Sequence, residues 1–200
     1  MPNDTTHPHS VPAHYQGTTQ KGFQGGKAKV LELFNALDLE DFLNQFTQQI
    51  LPLQAAQWFA LDCAKLVLYA FEEQYPSDKR VSNCIEVVES YLNGKSSLYE
   101  LKRASAAVNA AVNAAANAAY DAAAAVAAYA AGYTVNYAAL SAASAAYAAG
   151  YTVNYAALSA ASAACAYYAA AAGRCAADAT SKDEMQAFIK NWIDNYFNAK

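Results

Sequence analysis

Apolar residues recur at helical spacing soon after the start of the chain. Val30, Leu33, Phe34 and Leu37 fall at i, i+3, i+4 and i+7, which gathers side chains on one face of an α-helix. Asp38 is suited to cap the next helix, whose apolar face is Leu39, Phe42, Leu43, Phe46 and Ile50. Pro52 ends that helix or starts its successor. A third helix is predicted from about Leu53 to Gln74, with Phe59, Cys63, Leu66, Val67, Ala70 and Phe71 buried. Asp62, Lys65, Glu72 and Glu73 are expected to face water. Tyr75-Pro76-Ser77-Asp78 reads as a turn, because the residue before proline is disfavoured in helix. Ser77 or Asp78 would cap a fourth helix packed through Val81, Cys84, Ile85, Val88 and Leu92, and Gly94 suits the left-handed position that closes it. Two capping boxes of the form S-x-x-E follow, at Ser97–Glu100 and Ser181–Glu184. The second should open a terminal helix with Met185, Phe188, Ile189, Trp192, Ile193 and Tyr196 on its apolar face.

Between these boxes the pattern changes. About half of residues 104–179 are alanine, the strongest helix former. Val108, Val112 and Val126 share a face, and Asn109, Asn113, Asn117 and Asp121 form a polar row at i, i+4 spacing. A perfect duplication follows: residues 129–146, YAAGYTVNYAALSAASAA, are repeated letter for letter at 147–164. Its period of 18 residues is five turns at ~3.6 residues per turn, so an inserted copy keeps each side chain on its original face. A strand reading of GYTVNY rests on its β-branched and aromatic residues, but alanine on both sides favours helix. A single helix from 97 to 172 would exceed about 110 Å, too long for a globular domain. Breaks at Gly132, Gly150 and Gly173 would instead stack shorter helices whose alanine faces allow close approach.

The pattern therefore predicts an all-α fold, a helical bundle or short α-solenoid with closely packed Ala/Tyr-rich helices. Residues 1–26, rich in Pro, Gly, Thr, Gln and His, read as a disordered tail. A single helical domain over 27–200 follows: amphipathic helices over 27–95, the alanine region over 97–179 and the terminal helix over 181–198.

Composition narrows the function. Charged residues make up 15% of the chain, against ~25% in ordinary domains. The net charge of −4 disfavours a nucleic-acid partner, which calls for clustered Lys and Arg. No charge occurs between Asp121 and Arg174, but that stretch is Ala, Tyr, Ser, Asn and Thr rather than the Leu-rich run of a membrane span. MPNDTTHPHS lacks the basic and apolar regions of a signal peptide. A cytoplasmic protein with reduced thiols is expected.

All three histidines, His7, His9 and His14, lie in the tail. The expected helical domain thus has no histidine for Ser-His or Cys-His catalysis or for metal ligation. Cys63, Cys84, Cys165 and Cys175 form no CxxC pair. Gly25-Gly26-Lys27-Ala28 is a fragment of a P-loop with no preceding strand. The carboxylate pairs Glu40/Asp41, Glu72/Glu73 and Asp183/Glu184 fall on helix surfaces or first turns. The chain reads as a non-enzymatic binding protein without catalytic residues, cofactor or metal. Tyr129, Tyr133, Tyr137, Tyr147, Tyr151 and Tyr155 share one helical stripe and are the candidate partner-binding residues. Tyrosine suits both a recognition surface and a half-buried core face.

The stretch from Cys63-Ala64 through Leu68, Phe71-Glu72, Tyr75-Pro76, Asp78 and Arg80, followed by Ile85-Glu86 and the alanine tract, resembles a family of alanine-rich immunity proteins found beside bacterial polymorphic toxins. The resemblance covers roughly residues 54–175. It departs from the pattern at Val81-Ser82, where the family often has proline, and at Cys84, where it usually has alanine. It implies toxin neutralisation by direct binding, with a protein toxin or effector as partner. Glu73, Tyr75, Pro76, Asp78 and Arg80 match the motif, and a helix-turn-helix clasp accounts for them structurally. A scaffold protein of a phage or mobile element is the other reading, in which the duplication only lengthens a rod or solenoid. An ice-binding face is poorly served, because Thr134 and Thr152 stand 18 residues apart.

Overall fold

The computed structural model describes residues 17–121, Ala145 and 180–198; the side chains of Glu40, Val67, Ala70, Glu73, Gln74, 111–121 and 180–185 also lie outside this description. Among the described residues there are six α-helices and no strand: α1 (Gly26–Ala36), α2 (Leu39–Gln45), α3 (Leu53–Gln74), α4 (Arg80–Leu92), α5 (Leu98–Asp121) and α6 (Thr180–Asn198). The fold is all-α, as the periodicity requires.

Local signals set several boundaries. Asp38 caps α2, its carboxylate accepting from Asp41 N–H at 2.8 Å. Pro52 stands at the N-cap of α3 in an extended conformation. The first capping box is fully formed: Ser97 N–H donates to Glu100 Oε2 at 2.7 Å, and Glu100 N–H donates to Ser97 Oγ at 3.3 Å. Gly94, at φ 70°, closes α4. Its N–H reaches Tyr91 O at 2.9 Å and Lys95 N–H reaches Ser90 O at 2.8 Å, the paired bonds of a Schellman motif. The second box, at Ser181–Glu184, falls on side chains outside the described residues.

One feature of the backbone carries no sequence signal. α2 runs into a π-helical turn, Phe46–Ile50, in which Leu51 N–H reaches back five residues to Phe46 O at 2.8 Å. The wide turn buries Thr47 beside Phe46 and Ile50, and the Thr47 hydroxyl donates to Leu43 O at 2.8 Å. Gln20 closes this end: its N–H donates to Ile50 O, and its Nε2 donates to Gln48 O and Leu51 O, all at 2.8 Å. Carbonyls that a helix end would leave open are thereby satisfied by the segment before α1. The same segment meets α6, where Tyr196 Oη donates to Thr18 O at 2.7 Å.

The core joins all six helices, and an aromatic chain runs through it. Phe34 meets Phe42, Phe42 stacks on Phe46, and Phe46 and Phe59 both meet Trp192 edge to face at 5.8 and 4.9 Å. Trp192 stacks on Tyr196 at 5.0 Å. The far end of the chain is thus held between α2 and α3, with Lys27 bridging to Asp194 at 2.9 Å. Much of the predicted stripes is buried, Val81, Cys84, Ile85 and Val88 on α4 and Ile189, Trp192, Ile193 and Tyr196 on α6. Leu33 and Phe34 of α1, Leu37 just after it, Leu66 of α3, Leu92 of α4 and Phe188 of α6 are half-buried. α3 is buried over a wider arc than its stripe, including Ala55, Ala56, Trp58, Ala60, Leu61 and Ala64, because it packs on α4, the π turn and α6. Asp62, expected to face water, is half-buried instead, and its carboxylate accepts from Trp192 Nε1 at 2.9 Å. On α5, Leu101, Ser105 and Val108 face the core, and Ala145, from the first repeat copy, is helical and fully buried in it.

Candidate binding surface

The motif residues Tyr75, Pro76, Asp78 and Arg80 come together at the turn between α3 and α4. Tyr75 N–H still bonds to Phe71 O at 2.9 Å, and Asp78 N–H bonds to Tyr75 O at 3.0 Å. Helix α4 begins at Arg80, with Lys79 rather than Ser77 or Asp78 at its N-cap, yet Asp78 Oδ1 accepts from Arg80 N–H at 3.0 Å. Asp78 therefore satisfies the first orphan donor from one position further out. Its carboxylate also takes Arg80 Nε at 2.9 and 3.0 Å and pairs with Arg80 Nη2. The hydrogen bonds from Arg80 hold the Asp78 carboxyl below its usual range, and the same bonds raise the Arg80 guanidinium. Lys79 pairs with Glu72 at 3.5 Å, and Lys65 with Glu89 at 2.9 Å further along the α3–α4 pair. The bonding capacity of Asp78 is used inside the turn, which gives this cluster the chemistry of a clasp. Glu73, the remaining motif residue, has its side chain outside the described residues.

The tyrosine row Tyr129, Tyr133, Tyr137, Tyr147, Tyr151 and Tyr155 lies wholly outside the described residues. The polar row on α5 is described only at Asn109, which is half-buried.

A different surface comes into view at the start of α5. Three large apolar residues among those described stand exposed, Leu53, Leu98 and Tyr99, and two of them are adjacent. Tyr99 is 69% exposed and Leu98 41%. The Arg103 guanidinium lies over the Tyr99 ring at 6.0 Å, within cation–π range. Lys102, Ala106 and Ala110 are exposed on the same side of the helix. The sequence carried a signal for Tyr99, which falls off the Leu101–Ser105–Val108 stripe and is turned outward when that stripe is buried. Leu98, three residues before Leu101 and seven before Ser105, continues the stripe by spacing and yet stands exposed at the first position of α5.

The described thiols are poor nucleophiles. Burial pushes Cys63 well above the ordinary thiol range, with Asp62 adding to the effect, and pushes Cys84 up to about 12. Among the described residues no cluster of three or more His, Cys, Asp or Glu could hold a metal, and no helix is long and apolar enough to cross a membrane. The geometry offers side chains for contact, an exposed aromatic–cation pair and a clasped turn.

No curated protein and no solved structure matches the chain. Residues 52–142, from Pro52 ahead of α3 into the first repeat copy, match the model of the Imm-5 like putative immunity protein family.

Proposed function

We propose that this chain is a cytoplasmic immunity protein that neutralises a toxin by binding it directly, without catalysis. The observation that carries the reading is the family match over residues 52–142, which takes in the α3–α4 clasp, all of α5 and its exposed first turns. An immunity role implies a toxin partner, and a bacterial polymorphic-toxin setting fits the alanine-rich tract that follows. The two buried thiols, held protonated, are consistent with a protein that acts through contact. Tyr129, Tyr133, Tyr137, Tyr147, Tyr151 and Tyr155 are proposed to extend the contact surface along the repeat.

The test is co-expression with the toxin encoded beside this gene in a sensitive host. Growth should be restored and the two proteins should co-purify; a host that still dies while the chain is folded and abundant overturns the reading. The duplication favours a second reading, a scaffold that the added copy merely lengthens. Deleting residues 147–164 separates the two. A contact face loses affinity for the toxin, whereas a spacer tolerates removal of a register-preserving five turns.

A further inference from the structure

The first turns of α5 gather cationic and aromatic side chains on one face of this acidic chain. Leu98 and Lys102, and Tyr99 and Arg103, are i, i+4 pairs, so the four side chains lie in two neighbouring rows on one side of the helix. Ala106 and Ala110 continue the rows and are exposed, giving a floor without bulk next to the Tyr99–Arg103 pair. The charge is one-sided. Lys95, Lys102 and Arg103 are all exposed, while Glu100, the single carboxylate between them, is turned back onto Ser97 by bonds at 2.7 and 2.9 Å. Those bonds hold Glu100 ionised below its usual range and tie it to the helix start. The helix dipole at this end favours the opposite sign, so it does not account for the cations, although Arg103 also acts on the Glu100 carboxylate beside it. A chain of net charge −4 thus presents a cationic, aromatic and small-residue surface at one place, with the Tyr and Arg types that dominate binding energy in protein interfaces.

We infer that the face of α5 formed by Leu98, Tyr99, Lys102 and Arg103 is the docking surface for a carboxylate-rich region of the protein partner. Asp or Glu of the partner meets Arg103 and Lys102, while an apolar side chain covers Leu98 and the Tyr99 ring over the alanine floor. The inference deepens the toxin-binding reading by naming the chemistry of the partner's surface, and its test does not require the toxin.

The probe is a short fluorescein-labelled peptide of Asp, Glu and Leu, titrated with the full chain and followed by anisotropy at low and physiological ionic strength. An acidic peptide should be repelled by a net-acidic protein, so binding reports a local surface. Binding that weakens with salt, and falls about tenfold in Y99A/R103A and in R103E but not in K190E on the exposed side of α6, supports the inference. All three substituted positions, Tyr99, Arg103 and Lys190, are exposed on helices, and unchanged far-UV circular dichroism confirms the fold. No binding by the native chain, or equal loss in K190E, overturns it. A single-stranded oligonucleotide that binds this face more tightly than the peptide also overturns it, because the partner would then be a nucleic acid. If the chain neutralises its toxin but ignores the peptide, the docking inference fails and the immunity reading stands; the reverse pair of results has the opposite meaning.

Discussion

Replacing Trp192 with phenylalanine tests how α6 is joined to α3. The variant keeps an aromatic ring beside Phe46, Phe59 and Tyr196 but deletes the indole N–H that reaches Asp62 at 2.9 Å. A hydrogen bond to a charged group contributes about 1.5–3 kcal/mol. Asp62 is only half-buried, so water recovers part of that loss, while the smaller ring leaves a small void that adds to it. The expected cost is about 2 kcal/mol. Asp62→Ala removes the bond from the other side and should cost about 1–2 kcal/mol. If the bond is shared, the double variant W192F/D62A costs less than the two singles together, with a coupling of about 1 kcal/mol. Urea denaturation followed by circular dichroism measures this as a shift in midpoint at constant slope. Single variants within about 0.3 kcal/mol of the native chain, or strictly additive costs, would refute the coupling. The bond would then be an incidental contact, and α6 would be held by packing together with the Lys27–Asp194 and Tyr196–Thr18 contacts.

Three other outcomes are expected. Gln20→Ala removes two side-chain bonds to Gln48 O and Leu51 O and should cost about 1–2 kcal/mol, with faster amide exchange confined to the π turn; unchanged exchange there would show that water replaces the cap. The depressed Asp78 carboxyl adds stability at pH values above its ordinary 3.8 and loses it as pH falls through its lower folded value. The thermal midpoint should therefore drop more steeply below that pH in the native chain than in D78N. In a C165S/C175S variant, Cys63 and Cys84 should not react with Ellman's reagent at pH 8 until the chain is unfolded, because burial holds both thiols protonated; rapid native reaction would contradict the burial.

The sequence by itself determined the helices and much of their edges. Helical periodicity is a local property, and so are the caps at Asp38 and Ser97–Glu100 and the left-handed Gly94, each formed by residues a few positions apart. The clasp between Tyr75 and Arg80 was legible for the same reason, since all its bonds lie within one turn. What depended on distant partners was not. Asp62 looks like a solvent-facing charge until α6, 130 positions away, brings Trp192 against it. The breadth of the α3 core follows from having neighbours on several sides, which no single stripe records. The π turn after α2 needs Gln20, 28 positions upstream of Gln48, to satisfy its carbonyls. The exposed face of α5 lies between these cases. Spacing sets Tyr99 and Arg103 away from the Leu101–Ser105–Val108 stripe but places Leu98 on it, and only the packing shows Leu98 left exposed, because packing decides which side of a helix is left to meet a partner.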